Sequence, residues 1–356
     1  MRLGLVGPLP PPGGGMANQT RQLAALLAAQ GIDVRVVRTN APYRPAWIGH
    51  LRGLRAPCRL AAYLSDLAGV SRKVDVLHVM ANSGWSWHLS AAPAILAGAA
   101  RHIPVIVNYR GGLAREFLAR RSGVVRATLR LARAVVVPSR FLQRVFAEHG
   151  VGAEIIPNIV DLEMFHPAVA VPHEGVHIVV ARNLERIYGI DVALRAAAIL
   201  KNELSEFRLS IAGEGPARPA LEQLTEELGL SSMVHFTGAL DVPSIAALYR
   251  SADIVLNPSR ADNTPNSLLE AAASGVPIVS TDVGGIPDLV EHRRSAWLVP
   301  SEDPHAMVEG IQRLLSDPSL ADQLRTNGLA LARSCSWPVV RPQWFDLYQR
   351  AAEQAA

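Results

Sequence analysis

The chain has few of the features that build a disulfide scaffold, a metal centre or a membrane span. Its 356 residues include only two cysteines, Cys58 and Cys335, which lie far apart and form no CxxC pair. Neither a zinc site nor a redox pair is therefore indicated. The longest apolar run, from Ala91 to Ala100, falls short of the roughly 20 residues that cross a bilayer. These absences favour a protein of the reducing cytoplasm, with membrane contact at most peripheral.

The beginning of the chain lacks a secretory pattern as well. The apolar run Leu3–Gly7 is short and leads directly into prolines at Pro8 and Pro10, which is not the design of a signal peptide. The composition, 49% hydrophobic and 19% charged, is that of a folded globular protein and excludes disorder. Because a typical domain has about 100–200 residues, the length predicts two domains.

Charge divides the sequence into two parts. Residues 1–160 carry a formal charge of +14 and residues 161–356 carry −10. The overall net charge of +4 is therefore the sum of two halves of opposite charge. The change coincides with the proline-flanked stretch Ile156–Pro172, which is typical of a domain boundary. We predict a first domain over 1–168, a second over 169–335, and a C-terminal helix over 336–356 that returns to the first domain.

Both halves alternate short β-branched runs with Ala- and Leu-rich stretches of helical character. This pattern predicts an α/β protein with two Rossmann-like, doubly wound parallel sheets whose strand C-termini face a central cleft. The predicted strands are Leu3–Gly7, Asp33–Val37, Asp75–Val79, Pro104–Asn108, Ala134–Val137 and Glu154–Ile156, then Val176–Ala181, Arg208–Ala212, Val234–Thr237, Ile254–Asn257 and Pro277–Ser280.

A glycine triplet, Gly13–Gly15, follows the first predicted strand and precedes an amphipathic helix. Backbone N–H groups and the helix N-terminus could hold a phosphate here, and a flexible turn is an equally good interpretation. The segment matches neither GxGxxG nor GxxxxGK[ST], which argues against an NAD site and a P-loop.

Two carboxylates follow the predicted strand Ile254–Asn257. Asp262 lies in a loop and Glu270 lies one turn inside the next predicted helix, a spacing that suits a polyol such as a sugar and a ribose. Glu270 could instead be a solvated helix residue. Its apolar neighbours Leu268 and Leu269 favour a buried carboxylate with a partner.

These segments together resemble glycosyltransferase family 4, the retaining nucleotide-sugar enzymes of GT-B fold. The resemblance spans nearly the whole chain. It implies that a sugar moves from a nucleotide-diphosphate sugar to a hydroxyl acceptor, in cell-surface polysaccharide or glycolipid synthesis. The segments that carry it are Pro157–Asp161, Ala212–Pro216, Phe236–Ser259 and Asp262–Pro277.

The resemblance also implies roles for individual residues. Glu270 would bind the ribose hydroxyls, and Asp262, where the family usually has Glu, would contact the transferred sugar. Arg182 matches the first of two cations that neutralise the diphosphate, but the family's Lys is missing, which leaves Arg186 or a hydrogen bond from Tyr188 as its substitute. The other expected donor-binding residues are Gly14, Gly15, Asn158, Gly213, Asn263, Thr264 and Pro265.

The acceptor side departs from the family, in which many members place a His after the fourth strand. This chain has Asn108, Tyr109 and Arg110 there, and His78 lies near the end of the preceding predicted strand, Asp75–Val79. We expect these four residues on the acceptor side, although a buried structural role for His78 is the more frequent one. Trp85 and Trp87 offer sugar-stacking faces or core packing.

No cofactor other than the nucleotide-sugar substrate is expected. The sequence has no DxD motif and no clustered His, Cys and Asp ligands, so the resemblance and the motifs together predict a metal-independent transferase. Retention favours front-face attack, because no nucleophile for a double displacement is identifiable.

Nine arginines and a single acidic residue lie between Arg110 and Arg144. Arg126, Arg130 and Arg133 have the spacing of one helix face, beside the apolar Leu118, Val125 and Leu129. We interpret this as a surface for the anionic inner face of a membrane. A solvated face, or one paired with the acidic second domain, is the alternative. Nucleic acid is disfavoured because aromatic stacking residues are missing from the run.

Two other functions stay open beside the glycosyltransferase. A nucleotide-sugar 2-epimerase of similar fold would change its substrate without any acceptor. A non-catalytic GT-B subunit would bind a partner, and the missing Lys and His are compatible with it.

Overall fold

The computed structural model describes residues 1–11, 13–43, 45–51, 54–167, 174–204 and 206–353. The chain divides into two compact units. Unit 1 comprises Met1–Ile159 together with the segment from Val340 onward, and unit 2 comprises Val160–Val339. The predicted boundary between 168 and 169 lies outside the described residues.

Unit 1 is built on a parallel sheet, which has six strands in the described residues, in the order β2-β1-β3-β4-β5-β6. The third and fourth strands are buried at every position, as expected for parallel strands covered by helices on both faces. The strands are β1 (Arg2–Gly7), β2 (Asp33–Arg38), β3 (Val76–Ala81), β4 (Val105–Tyr109), β5 (Ala134–Val137) and β6 (Glu154–Ile155).

Helices connect these strands, with a 3₁₀ turn at Ala46–His50 and a wide helical turn at Trp87–Ala91. Trp87 is fully buried in the core of the unit. The helices are α1 (Gly15–Ala29), α2 (Arg55–Val70), α3 (Ala92–Ala99), α4 (Ala114–Leu129) and α5 (Arg140–Glu148).

Unit 2 contains a second parallel sheet, in the order β12-β11-β10-β7-β8-β9 across the described strands. This is the Rossmann strand order, in which the direction of winding reverses between β7 and β10. Ligands of such sheets bind at that reversal, beyond the carboxyl ends of the strands. The strands are β7 (Val176–Ala181), β8 (Phe207–Ala212), β9 (Val234–Gly238), β10 (Ile254–Asn257), β11 (Ile278–Thr281) and β12 (Trp297–Val299).

The last helix of the chain is shared between the two units. It begins in unit 2, and from Val340 onward it belongs to unit 1, where Trp344 and Tyr348 are fully buried. The remaining helices are α6 (Ile190–Leu200), α7 (Arg218–Glu227), α8 (Val242–Arg250), α9 (Asn266–Ala273), α10 (Ile286–Leu289), α11 (Pro304–Ser316), α12 (Pro318–Ser334) and this α13 (Trp337–Glu353).

Candidate active site

Arg182 lies at the reversal point of the unit 2 sheet, directly after β7. Its Nη2 donates to the hydroxyl of Ser259, just beyond β10, at 2.9 Å, and its Nη1 donates to the hydroxyl of Ser267 on α9 at 3.3 Å. The guanidinium lies over the ring of Tyr188 at 4.4 Å. Burial lowers its pKa from the ordinary value, yet a guanidinium stays protonated in proteins. The arrangement therefore fixes one positive charge at the strand ends.

Asp262 places a carboxylate beside this cation. Its Oδ2 forms an ion pair with Nη2 of Arg182, and its Oδ1 accepts a hydrogen bond from the backbone N–H of Asn263 at 2.7 Å. The turn at Gly284 supports the loop, because Gly284 has a φ of +58° and a β-carbon there would overlap the carbonyl oxygen of Asp262. Only glycine combines this backbone conformation with such close contact.

Glu270 lies on the same face of α9 as Ser267, one helical turn further along. Burial raises its pKa to about 7, while the nearby hydroxyl of Tyr249 and the charge of Arg182 oppose that shift. The site therefore holds a fixed cation and two carboxylates within one unit.

The neighbouring residues expected at the donor are placed by the same loop. Asn263 and Pro265 are buried, Thr264 is partly buried, and Pro265 immediately precedes α9. Gly213 has a φ of +150°, and a β-carbon there would overlap the carbonyl oxygen of Arg182. Gly213 therefore packs against the backbone of Arg182. Asn158 is buried and belongs to unit 1.

Two family descriptions match the chain along most of its length. Residues 13–164 match "Glycosyltransferase Family 4", and residues 175–317 match "Glycosyl transferases group 1". The chain belongs to glycosyltransferase family 4.

Relatives and solved structures agree with this family. The chain is 27% identical to D-inositol 3-phosphate glycosyltransferase 1 of Catenulispora acidiphila, over 98% of the chain and 94% of that protein. It is 35% identical to the putative colanic acid biosynthesis glycosyltransferase WcaL of Escherichia coli, over 42% of the chain and 39% of that protein. Several further inositol-phosphate relatives are matched over about half of their length.

The fold resembles sucrose-phosphate synthase of Thermosynechococcus elongatus, with a TM-score of 0.79, 21% identity and 98% of each chain covered. It also resembles Anabaena HepE solved with UDP-glucose, with a TM-score of 0.76 and 16% identity, covering 98% of this chain and 99% of that one. The fold is GT-B, as the sequence predicts.

The glycine triplet expected at the diphosphate lies at the N-terminus of α1, which begins at Gly15. A β-carbon at Gly13 or Gly14 would meet no atom of the protein within 4 Å. The surrounding structure therefore does not itself require glycine there, and both positions leave room for another molecule to approach the backbone.

Arg186, the expected substitute for the family's Lys, has an exposed side chain in the 3₁₀ turn Arg186–Tyr188. Among the described residues it has no ion-pair partner. Its backbone carbonyl accepts a hydrogen bond from Arg260 at 2.6 Å, and Arg260 is also paired with Asp191 at 2.8 and 2.9 Å. Arg260 thereby holds the turn that places Tyr188 under Arg182.

Sequence reasoning did not single out Tyr249 and Ser267 as part of the site, and Ser259 only as part of a motif. Ser259 precedes the acidic motif Asp262–Glu270 and Ser267 lies within it, so proximity in the sequence was the available signal. Tyr249 lies in the last turn of α8, and no local sequence pattern indicates a contact with Glu270.

The four residues expected on the acceptor side separate into core and polar positions. Tyr109 is fully buried, its ring centroid lies 4.9 Å from that of Phe146, and its hydroxyl is 2.7 Å from the hydroxyl of Ser83. Trp87 is a core residue, whereas Trp85 is 78% exposed. Of the two tryptophans, only Trp85 has a ring face available for a sugar.

His78, Asn108 and Arg110 form a chain of hydrogen bonds with Tyr348 of α13. Nε of Arg110 donates to Oδ1 of Asn108 at 3.1 Å, and Nδ2 of Asn108 donates to Nε2 of His78 at 3.0 Å. Nδ1 of His78 is 2.7 Å from the hydroxyl of Tyr348. Burial and then the Arg110 charge lower the pKa of His78 to about 3. The imidazole is therefore neutral, with its proton on Nδ1.

The basic stripe differs from its prediction. Arg126, Arg130 and Arg133 are all exposed, but α4 ends at Leu129, so Arg133 does not continue its face. The backbone of Arg133 already donates to Val105 of the sheet, at 2.8 Å. The apolar neighbours expected to meet lipid are buried in the core of unit 1, and they are Leu118, Val125 and Leu129.

No group of three His, Cys, Asp or Glu residues is placed to hold a metal ion in the part of the chain that the structure describes. No helix within those same residues has the length and apolarity to span a membrane.

Proposed function

We propose that this protein transfers a sugar, with retention of anomeric configuration, from a nucleotide-diphosphate sugar to a hydroxyl group of an acceptor. The observation that carries the proposal is the cluster of Arg182, Asp262 and Glu270 at the strand reversal of unit 2. A fixed cation suits a diphosphate, and the two carboxylates suit the hydroxyl groups of a ribose and a sugar.

The reaction breaks the bond between the anomeric carbon and the diphosphate oxygen. A bond from that carbon to the acceptor oxygen forms on the same face, and the acceptor proton passes to the departing phosphate oxygen. Negative charge grows on the diphosphate as the bond breaks, so Arg182 stabilises the transition state more than the ground state. The guanidinium of Arg182 can stabilise the leaving diphosphate without a metal ion.

The two carboxylates bind different parts of the donor. Glu270 accepts hydrogen bonds from the ribose hydroxyls, and Asp262 contacts the transferred sugar. The loop Asn263–Pro265 adds backbone amides near the same sugar. Gly14 and Gly15 are proposed as further diphosphate-binding residues, and the open space at Gly14 supports this role.

UDP-glucose is the first donor to test, because HepE was solved with UDP-glucose. With UDP-glucose as the donor, the proposed enzyme is a hexosyltransferase. The names of WcaL and of the inositol-phosphate relatives support an acceptor in glycan or glycolipid synthesis.

We further propose a cytoplasmic protein that touches an anionic membrane surface through Arg126, Arg130 and Arg133. Their exposure supports this, and so does that of Val124 and Leu131 beside them, which are 57% and 47% exposed.

The test is a panel of nucleotide sugars in which release of the nucleoside diphosphate is measured with and without hydroxyl acceptors. Wild-type protein should release UDP from UDP-glucose, or the corresponding diphosphate from another donor, faster when an acceptor is present. Arg182→Gln should lose this activity, and Arg186→Gln, which removes an exposed charge nearby, is the matched control. An altered sugar recovered without acceptor would indicate the epimerase. Binding with no turnover of any donor would indicate the non-catalytic subunit.

A further inference from the structure

Arg110 is a cation without a counter-charge in unit 1. Its Nη1 is buried and has no hydrogen-bond partner in the described residues, and none of their carboxylates forms an ion pair with the guanidinium. Within the described residues, the side chain makes a single hydrogen bond, from Nε to Oδ1 of Asn108. Because a buried charged group is strongly destabilising unless it is paired, a guanidinium in this state is suited to an anion that arrives from outside.

A chain of hydrogen bonds fixes the orientation of the Arg110 guanidinium. Asn108 accepts from Nε of Arg110 and donates to His78, which in turn contacts Tyr348. The ring of Trp344 lies 4.7 Å from that of His78. Because every member except Arg110 is fully buried, the side chain of Asn108 is fixed and presents its oxygen to Nε. In the part of the chain that the structure describes, neither Nη atom of Arg110 has a hydrogen-bond partner, and Nη1 is buried.

The position of Arg110 is that of a ligand site in a parallel sheet. It follows β4 directly, and its backbone N–H donates to the carbonyl of Ala81 at the end of β3, at 2.9 Å. The N-terminus of the sixteen-residue helix α4 begins four positions later. Ligands of parallel sheets bind beyond the carboxyl ends of the strands, and a helix N-terminus favours negative charge. The residue as a whole is only partly buried, so the edge is open to an incoming group.

We propose that Arg110 binds an anionic group of the acceptor, either a phosphate or a carboxylate. This inference rests on the proposed function, because it names the chemical class of the acceptor. Both groups fit the flat fork of a guanidinium through two parallel hydrogen bonds. Asn108, His78 and Tyr348 are positioning residues, since they act through Arg110.

Binding is measured by calorimetry with three probes, namely glucose 6-phosphate, glucuronate and glucose. The full-length chain carries Arg182→Gln throughout, since a phosphate also fits the cation of unit 2. At least one anionic probe should bind about tenfold or more tightly than glucose. Preference for glucose 6-phosphate identifies a phosphate site, and preference for glucuronate identifies a carboxylate site.

Two variants test the assignment to Arg110. Arg110→Gln should abolish the preference for anions. Asn108→Asp keeps the guanidinium and the shape of the neighbour but supplies a counter-charge at Nε, so it should also abolish the preference. Arg72→Gln, which removes an exposed arginine of the same unit, should leave it unchanged.

The proposal is overturned if neither anion binds more tightly than glucose, or if the preference survives in Arg110→Gln or in Asn108→Asp. These measurements need no turnover. If the protein binds the anionic probes selectively but transfers no sugar, the proposed function is wrong and the anion site at Arg110 is still supported. Circular dichroism of each variant checks that the chain is folded.

Discussion

The carboxylate of Asp262 is ion-paired with the guanidinium of Arg182, and the two side chains are only 16% and 10% exposed. The cation proposed to bind the diphosphate is therefore already neutralised in the structure. If the donor binds as proposed, its diphosphate replaces the carboxylate of Asp262 at Arg182, and this exchange frees Asp262 to turn toward the sugar.

Asp262→Asn should separate binding from turnover. The substitution removes the anion that competes with the diphosphate, so UDP should bind at least as tightly as it does to the wild type. Turnover should fall by about tenfold or more, since the contact of the carboxylate with the sugar is lost. Calorimetry with UDP and initial rates with the best donor give the two numbers. Weaker UDP binding would contradict the exchange.

Arg182 and Arg186 should differ strongly as catalytic cations. Arg182 is buried and directed by Ser259 and Ser267, whereas the side chain of Arg186 is exposed. We expect Arg182→Ala to reduce kcat by about 10²-fold or more and Arg186→Ala to have little effect. Steady-state rates of both variants provide the comparison, and the opposite order would reverse the assignment.

Nucleotide affinity should depend on pH through Glu270. Its pKa is raised to about 7, and only the ionised carboxylate accepts hydrogen bonds from both ribose hydroxyls. The ionised fraction rises about tenfold between pH 6 and pH 8, so affinity for UDP should rise over that range. Glu270→Gln should bind weakly at every pH. A wild-type affinity that is flat between these values would contradict the role.

Stability should fall in acid because of His78. The pKa is about 3 in the folded chain against an ordinary 6.5, so between these values the unfolded state binds one more proton. The free energy of unfolding therefore decreases as the pH drops through this window, by up to ~1.4 kcal/mol per pH unit. Denaturant titrations between pH 4 and 6 measure the slope. His78→Gln should lower stability at neutral pH and reduce the slope by about one proton.

Vesicle binding should depend on the exposed arginines of unit 1. Reversing Arg126, Arg130 and Arg133 to Glu should weaken binding to anionic vesicles strongly, since each basic residue at such a surface contributes about 1 kcal/mol. The same reversal at Arg21, Arg72 and Lys73, also exposed, is the charge-matched control. Co-sedimentation at low and high salt measures both. Equal loss in the two sets would indicate attraction without a defined surface.

The sequence was sufficient for most of the fold. All eleven predicted strands are present within one or two residues of their predicted ends, because parallel strands buried on both faces appear as continuous β-branched runs. The strand Trp297–Val299 was missed, since three residues between turns carry too little periodicity to predict a strand. The basic stripe was misread beyond Leu129, because arginine spacing alone does not show where a helix ends.

The candidate site could be predicted only in part. The positions of Arg182 and Glu270 followed from motifs beside strand ends. The ion pair of Arg182 with Asp262 did not, since it depends on how the loop packs against Gly284. The link from His78 to Tyr348 joins residues 270 positions apart, and no local pattern of residues predicts contact at that distance.

The division of α13 has a consequence for how the protein is made. Unit 1 needs Trp344 and Tyr348 to fill its core, yet the whole of unit 2 lies between them and the rest of the unit. On the ribosome, residues 160–339 of unit 2 are therefore synthesised before the segment from Val340 onward, so His78 cannot contact Tyr348 until all of unit 2 has been made. A chain truncated after residue 339 and released from the ribosome should contain a unit 2 that resists protease, attached to a unit 1 that is cleaved readily.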